Sequence, residues 1–416
     1  MEGTLAVVNI GQLVTLAGPA RPRSGEEMRE LGLLQDAVLL VEQGRIAAVG
    51  SYAELCSQIS PGAIVVDAGG RCVTPGFVDA HTHLVFAGNR AEEFELRVAG
   101  ATYQQIAAAG GGILRTVTLT RAAPEDELLS EARLHRDWML RGGTTTLEAK
   151  SGYGLDRATE MRMLRVIGRL DSEGPAKIVP TLLAAHTVPK EFAGRRDEYV
   201  RWIEDELIPE VSKERLARYC DAFCDEHAFT VQETRDVFCA AKRHGLRLRI
   251  HAEQFRTDSG AALAAELSAA TADHLEMVTR KTLEQLKEAG VQPVVLPGSV
   301  FALGRSNYPP ARQMIEMGLG VVLATDFNPG SSPIASMPFV FSLACLYMGM
   351  SPAEALAAGT VNAAWSLGLG ETIGTLENGK RADFLIHEFQ DYRELAYYMA
   401  APARPRVYIE GREVTV

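Results

Sequence analysis

Between residues 77 and 326 the chain alternates short, almost wholly apolar runs with longer segments in which apolar residues recur every three or four positions. The first pattern suits a buried strand and the second an amphipathic helix, so their alternation predicts β-α units around a parallel sheet. Eight runs read as strands: 77–83, 144–149, 177–184, 219–224, 247–251, 271–274, 292–296 and 321–326. Segments 126–141, 158–170, 231–244, 279–289 and 311–317 carry the helical spacing, with Pro, Gly and Asn or Asp at the joins. The expected fold class is therefore α/β, with a (β/α)8 TIM barrel over residues 76–366. Outside that region the strands are short and separated by turns. Runs at 5–10, 37–41, 45–50 and 63–68 read as strands, with Gly44-Arg45-Ile46 marking a hairpin, and 373–386 and 406–412 repeat the style. They predict one small β-sandwich domain built from both termini, residues 1–75 plus 367–416. Residues 18–30 read as an exposed excursion of that domain.

Chemistry in such a barrel gathers at the C-terminal strand ends, so the residues that end the eight runs are the informative ones. The first run enters through Pro75-Gly76 and closes on His81-Thr82-His83, and residues two apart on a strand share a face. His186 follows the third run, His251 ends the fifth, His274 the sixth and Asp326 the eighth. The remaining histidines, His135, His227, His244 and His387, fall in helices, loops or the tail and read as structural or exposed. Three imidazoles and one carboxylate, from His81, His83, His251 and Asp326, suit one divalent metal ion, Zn2+ or Fe2+, with a position left for water. Asp326 ends so apolar a run that its charge needs a partner, and a metal supplies one. His186 and His274 then stand behind the ligands. A metal that lowers the pKa of water from 15.7 to about 7, beside a carboxylate able to carry protons, predicts hydrolytic attack on a carbonyl or amidine carbon.

Composition narrows the partners. The chain has 416 residues, is 47% hydrophobic, and has no apolar window of membrane-spanning length, so a cytoplasmic enzyme is expected. Its start shows no basic segment leading into an apolar block, hence no secretory signal is expected. Six scattered cysteines suggest reduced thiols, and Cys220 and Cys224, in a strand-like run, read as buried structural residues rather than a metal pair. A net charge of −11 argues against a nucleic-acid surface. A small anion can still bind if a local cation receives it, and Arg90, seven residues after His83, offers a bidentate fork. Tyr153 on the next loop adds a hydroxyl, while Asn328, Gly330 and Ser331 follow Asp326 on the last loop, where glycine exposes backbone N–H groups. Gly110-Gly111-Gly112 in the long first loop suits a mobile lid, a backbone approach to ligand, or a plain bend.

Pro75-Gly76-Phe77-Val78-Asp79-Ala80-His81-Thr82-His83, the histidines on the fifth and sixth strands, Asp on the eighth, and the closing Gly374-x-Leu376-x-x-Gly379-Lys380-x-Ala382-Asp383 together resemble the amidohydrolase superfamily over essentially the whole chain. The two-metal branch of that superfamily carries a carboxylated lysine at the end of strand four. This chain reads Cys224-Asp225-Glu226 there, so one metal is favoured. Runs 86–94, 110–113, 148–155 and 324–332 resemble a single branch, and Lys150-Ser151-Gly152-Tyr153-Gly154-Leu155 is the most specific of them. The resemblance implies a small anionic heterocyclic substrate, 4-imidazolone-5-propanoate, opened by water to N-formimidoyl-L-glutamate in histidine degradation. It also implies that His186 contacts substrate and that His274 polarises the carbonyl or orients the water. Where the family often has Glu three residues after the strand-five histidine, this chain has Gln254, which cannot take a proton; general-base duty then falls on Asp326 with His274 assisting. Glu253 is a weaker substitute base. Barrels of this superfamily commonly pair, which implies a homodimer. The rival readings are an ammonia-releasing deaminase of another heterocycle and a non-catalytic scaffold barrel, and the retained ligand set argues against the latter.

Overall fold

The computed structural model describes every residue except 1–3, 102–104, 106–109, 226–227, 258, 402–403 and 416; His227 therefore lies outside the described residues. Both ends of the chain contribute to one eight-stranded mixed sheet. Its strands are β1 (Leu5–Val14), β2 (Leu33–Glu42), β3 (Arg45–Ser51), β4 (Ile64–Asp67), β5 (Cys72–Pro75), β14 (Phe384–Ile386), β15 (Arg406–Ile409) and β16 (Arg412–Val414). They run in the order β16-β15-β14-β5-β1-β2-β3, with β4 also paired to β1. The β2–β3 hairpin turns on Gln43 and Gly44, both at positive φ, the conformation that matches strand twist in a two-residue turn. Leu5, Val7, Ile10, Leu13, Leu39 and Phe384 bury one face of this sheet, and Phe384 stacks on Tyr408 at 4.4 Å.

Between these ends lie the eight parallel strands of the barrel: β6 (Phe77–Asp79), β7 (Thr144–Lys150), β8 (Lys177–Ala185), β9 (Tyr219–Cys224), β10 (Arg247–Ala252), β11 (Thr271–His274), β12 (Gln292–Val295) and β13 (Val322–Leu323). Each pairs with the next in chain order, as the alternating pattern predicts. Helices Glu125–Arg141, Arg157–Glu173, Val231–Arg243, Arg280–Ala289 and Ala311–Glu316 stand where the helical spacing puts them. At the N-terminal end of the barrel, Val78, Val179, Tyr219, Val294 and Val322 pack against Ala363, Ala364 and Leu367, which close that end. Burying each large side chain there is worth about 1.5–3 kcal/mol, so the barrel is a packed core and not a channel.

The first and last barrel strands are shorter than their apolar runs. β6 stops at Asp79 and β13 at Leu323, because the Asp79 carboxylate accepts the Thr325 N–H at 3.1 Å and its hydroxyl at 2.6 Å in place of ladder bonds. The seam is then completed beyond the strands. His83 donates its N–H to the Phe327 carbonyl at 2.8 Å, Asp326 donates its N–H to the His81 carbonyl at 3.1 Å, and Thr82 and Phe327 form an isolated bridge.

The reading of residues 18–30 as an exposed excursion holds for 18–21, 26, 29 and 30 and is corrected for the rest, which pack partly or wholly inward. Arg23 and Met28 are buried, and Gly25–Arg29 form a short helix against the barrel wall. Asn362 fixes this segment by accepting the Arg23 N–H at 2.7 Å and donating to its carbonyl at 2.9 Å. Arg29 adds an ion pair to the buried Glu354 at 2.9 Å. The polar composition hid the burial because the one buried charge, Arg23, is satisfied by the backbone carbonyls of Leu16 and Arg21. Cys220 and Cys224 lie in the core on the helix side of β9, whereas Asp221 between them points to the opposite side. Among the described residues no helix is long and apolar enough to cross a membrane.

Candidate metal centre and substrate pocket

Each residue expected at a strand end stands there. His251 lies in β10 and His274 ends β11; His81 and His83 follow β6, His186 follows β8, and Asp326 follows β13. The structure brings five of these side chains together in two overlapping triads that share His81, one with His83 and Asp326 and one with His251 and His274. His83 Nε2 lies 3.4 Å from His251 Nε2 and 3.5 Å from Asp326 Oδ1, and His81 Nε2 lies 3.6 Å from the same oxygen. Donors at the corners of a tetrahedron with arms of 2.0–2.2 Å stand about 3.3–3.6 Å apart, so this spacing suits ligand atoms facing one ion.

The tautomers agree with that reading. His81 Nδ1 donates to Asp273 Oδ2 at 2.6 Å and His251 Nδ1 to Asp221 Oδ1 at 3.1 Å, which leaves the Nε2 lone pair of each ring facing inward. His81 Nε2 and Asp326 Oδ2 are buried without a hydrogen-bond partner among the described residues. Burial holds His81 well below the ordinary imidazole value, and it brings His83 down to about 4 against the opposing pull of Asp326. Neutral imidazoles are the form that binds metal. The donor set therefore fits a divalent cation.

His274 differs from its neighbours. Burial lowers its pKa, but Glu276, whose Oε1 lies 3.4 Å from Nδ1, and then Asp326 and Asp273 lift it to about 8. His274, Asp326 and Glu253 all have positive φ (80°, 54° and 57°), a conformation non-glycine residues seldom hold unless packing imposes it.

The expected substrate residues line the same end of the barrel. His186 stacks on His83 with ring centres 5.2 Å apart and holds the Gly152 carbonyl through Nδ1 at 3.0 Å. Tyr153 is buried 5.3 Å from His186 and 5.9 Å from His83, and burial pushes its phenol well above the usual range. Arg90 is anchored through Nε to Thr116 Oγ1 at 3.0 Å, and its guanidinium passes so close to Gly330 that a Cβ there would lie 2.3 Å from Nη1. Glycine at 330 leaves the room the arginine uses. The N–H groups of Gly330 and Ser331 donate to Asn328 Oδ1 at 2.8 and 2.7 Å, so Asn328 organises the loop from within. Gln254 lines a small cavity with Glu276, the partner of His274, and its own N–H donates to Asp225 at 2.7 Å. Gly110 and Gly112 precede the helix Ile113–Ala122, and the Gly112 N–H donates to Glu93 at 3.0 Å.

Behind these groups stand Asp221, Asp273, Glu148, Lys150, Arg249, Glu276 and Glu160, to which the sequence assigned no role, although Glu148 and Lys150 fall in the distinctive run 148–155. A signal was available for several. Asp221, Arg249 and Asp273 are charges inside apolar strand runs, and Arg249 sits two residues before His251, hence on its face.

The sequence profile of the amidohydrolase family matches residues 72–414. The imidazolonepropionase of Solibacter usitatus is 54% identical over 407 residues, covering 98% of this chain and 97% of its own. That of Symbiobacterium thermophilum is 45% identical, covering 98% and 96%. Among solved structures, 5-methylcytosine deaminase from Klebsiella pneumoniae liganded with 5-fluorocytosine superposes with a TM-score of 0.74 at 17% identity, covering 99% of this chain and 97% of its own. A zinc-bound adenosine deaminase from Xanthomonas campestris gives 0.68 at 19% identity, covering 98% and 92%. At such identities the superpositions speak for the fold alone.

Proposed function

The chain belongs to the amidohydrolase family, and from that membership we propose that it hydrolyses the ring of 4-imidazolone-5-propanoate to N-formimidoyl-L-glutamate in histidine degradation. The observation that carries this reading is the 54% identity to an imidazolonepropionase across nearly the full length of both chains. His81, His83, His251 and Asp326 would hold one divalent cation. Bound there, an ion of the Zn2+ or Fe2+ class supplies Lewis acidity and brings water's pKa to about 7.

The protein's own groups then divide the work. Arg90, with the Tyr153 hydroxyl and Ser331, receives the propanoate, and His186 bears on the ring. Asn328 and Gly330 shape that loop, and Gln254 binds by hydrogen bonds only. His274, protonated and held by Glu276, donates to the ring carbonyl oxygen as charge develops on it. Asp326 takes a proton from the attacking water and returns it to the ring nitrogen when the amide C–N bond breaks. Water's oxygen becomes part of the new carboxylate, and no ammonia leaves. The same reading extends to a cytoplasmic setting and a homodimer, which fractionation and light scattering test.

The direct test is loss of imidazolone propanoate absorbance on purified protein, run beside an ammonia assay and elemental analysis. Substrate loss without ammonia, at about one metal per chain, is the expected result. Metal-loaded protein that leaves this substrate untouched would overturn the assignment, and ammonia release would point to deamination.

A further inference from the structure

Lys150 opens the most distinctive run in the sequence, yet the proposed chemistry does not use it. It ends β7, is fully buried, and places Nζ 2.8 Å from Glu148 Oε1 and 2.8 Å from Asp221 Oδ2. An ammonium held between two buried carboxylates is a fixed point, because unpairing any one of the three in a low-dielectric interior is costly. Each carboxylate continues to a different part of the ligand set. Asp221 reaches His251 Nδ1 through its other oxygen at 3.1 Å. Glu148 accepts the Thr82 N–H through its other oxygen at 3.2 Å, and its backbone carbonyl takes the Thr82 hydroxyl at 2.6 Å. Thr82 is the residue between His81 and His83.

We propose that Lys150 is a positioning residue for the metal centre, a single buried ammonium that ties the His81-Thr82-His83 segment to His251 and so fixes the spacing of the ligand nitrogens. The inference rests on the reading that this site holds a divalent cation. Lys150 itself stays out of the coordination sphere, since both carboxylates already engage its ammonium.

The test is the rate at which Zn2+-loaded protein yields its metal to a chromophoric chelator, with unfolding of the metal-free forms followed in parallel. Asp221→Asn loosens His251 and Glu148→Gln loosens the Thr82 segment, each also removing one of the two charges that hold Lys150, both at nearly constant volume. Each is expected to release Zn2+ roughly tenfold faster than wild type, in line with the loss of an outer partner of a metal-bound histidine. Lys150→Met is expected to be faster than either, and to alter the visible spectrum of the Co2+-loaded protein. Because Lys150→Met removes the counter-charge of two buried carboxylates, Lys150→Gln, which keeps a donor, is measured beside it. Its effect should shrink in the Asp221→Asn background, since the two changes share a path. Release within about twofold of wild type for Lys150→Gln, or full additivity with Asp221→Asn, would overturn the role. Wild-type protein that retains neither Zn2+ nor Co2+ would instead sink the metal reading, and the positioning role with it.

Discussion

Asp326 occupies a left-handed backbone conformation, φ 54°, that its own N–H bond to the His81 carbonyl helps impose. That geometry turns the carboxylate toward His81 and His83 rather than along the strand. Asp326→Asn keeps the shape but removes the proposed proton carrier, so turnover is expected to fall at least ~10²-fold while substrate still binds, measured by single-turnover kinetics and equilibrium binding. His274 makes a pH prediction. Its Nδ1 faces the Glu276 carboxylate and keeps its proton, so only the doubly protonated ring has an N–H at Nε2 for the carbonyl oxygen. With a pKa of about 8, kcat/KM should hold below that pH and decline above it. Glu276→Gln, which removes the main raising charge, should move the decline to lower pH. At this scale the clustered histidines and Asp326 were legible through their position at strand ends. The sequence concealed Glu276, whose role depends on a contact to the His274 ring that no spacing encodes.

Tyr153 is presented by a five-residue loop, 151–155, whose shape is set from the following helix. Glu160, fully buried in Arg157–Glu173, accepts the N–H groups of Gly152, Gly154 and Leu155 at 3.2, 2.8 and 2.8 Å through Oε1. Gly152 leaves no room for a side chain, since a Cβ would stand 2.8 Å from the Leu183 carbonyl oxygen and 3.0 Å from His186 Nδ1. Replacing Glu160 by Ala removes that acceptor and leaves the three N–H groups unpaired, at a cost of about 1–3 kcal/mol per group. We expect KM to rise about tenfold or more, with metal content unchanged, and steady-state kinetics beside elemental analysis checks both. The elements themselves were largely legible: eight apolar runs became eight strands because parallel strands covered by helices are apolar on both faces. The ends of β6 and β13 were not, since Asp79 substitutes side-chain bonds to Thr325 for the ladder. Nor was the docking of residues 18–30, which depends on Asn362, more than 300 residues away.

The two sheets meet around His387. Its ring lies 2.8 Å from Thr74 Oγ1, stacks on Phe389 at 4.7 Å and lies 6.2 Å from Phe77, and burial alone brings its pKa from 6.5 to about 3. The folded protein keeps this ring neutral while the unfolded chain takes up a proton below 6.5, so the stability it contributes is whole above that pH and is lost as pH falls toward 3. His83 acts in the same direction. Urea midpoints of metal-free protein should therefore fall between pH 7 and 4, and His387→Phe should flatten part of that slope. No pattern of neighbours distinguishes this histidine in the sequence, because its burial arises only where the terminal sheet seats on the barrel.

The barrel closes between its first and last strands. The bonds that join its first strand to its last are made by the backbones of His81, His83 and Asp326 with Phe327. A chain emerging from the ribosome thus carries its two leading imidazoles long before it has a carboxylate to set beside them. The full set of three histidines and the carboxylate exists only once some 240 further residues have been synthesised. Because backbone bonds close this seam, starvation for metal is expected to leave a closed barrel instead of an unfolded chain.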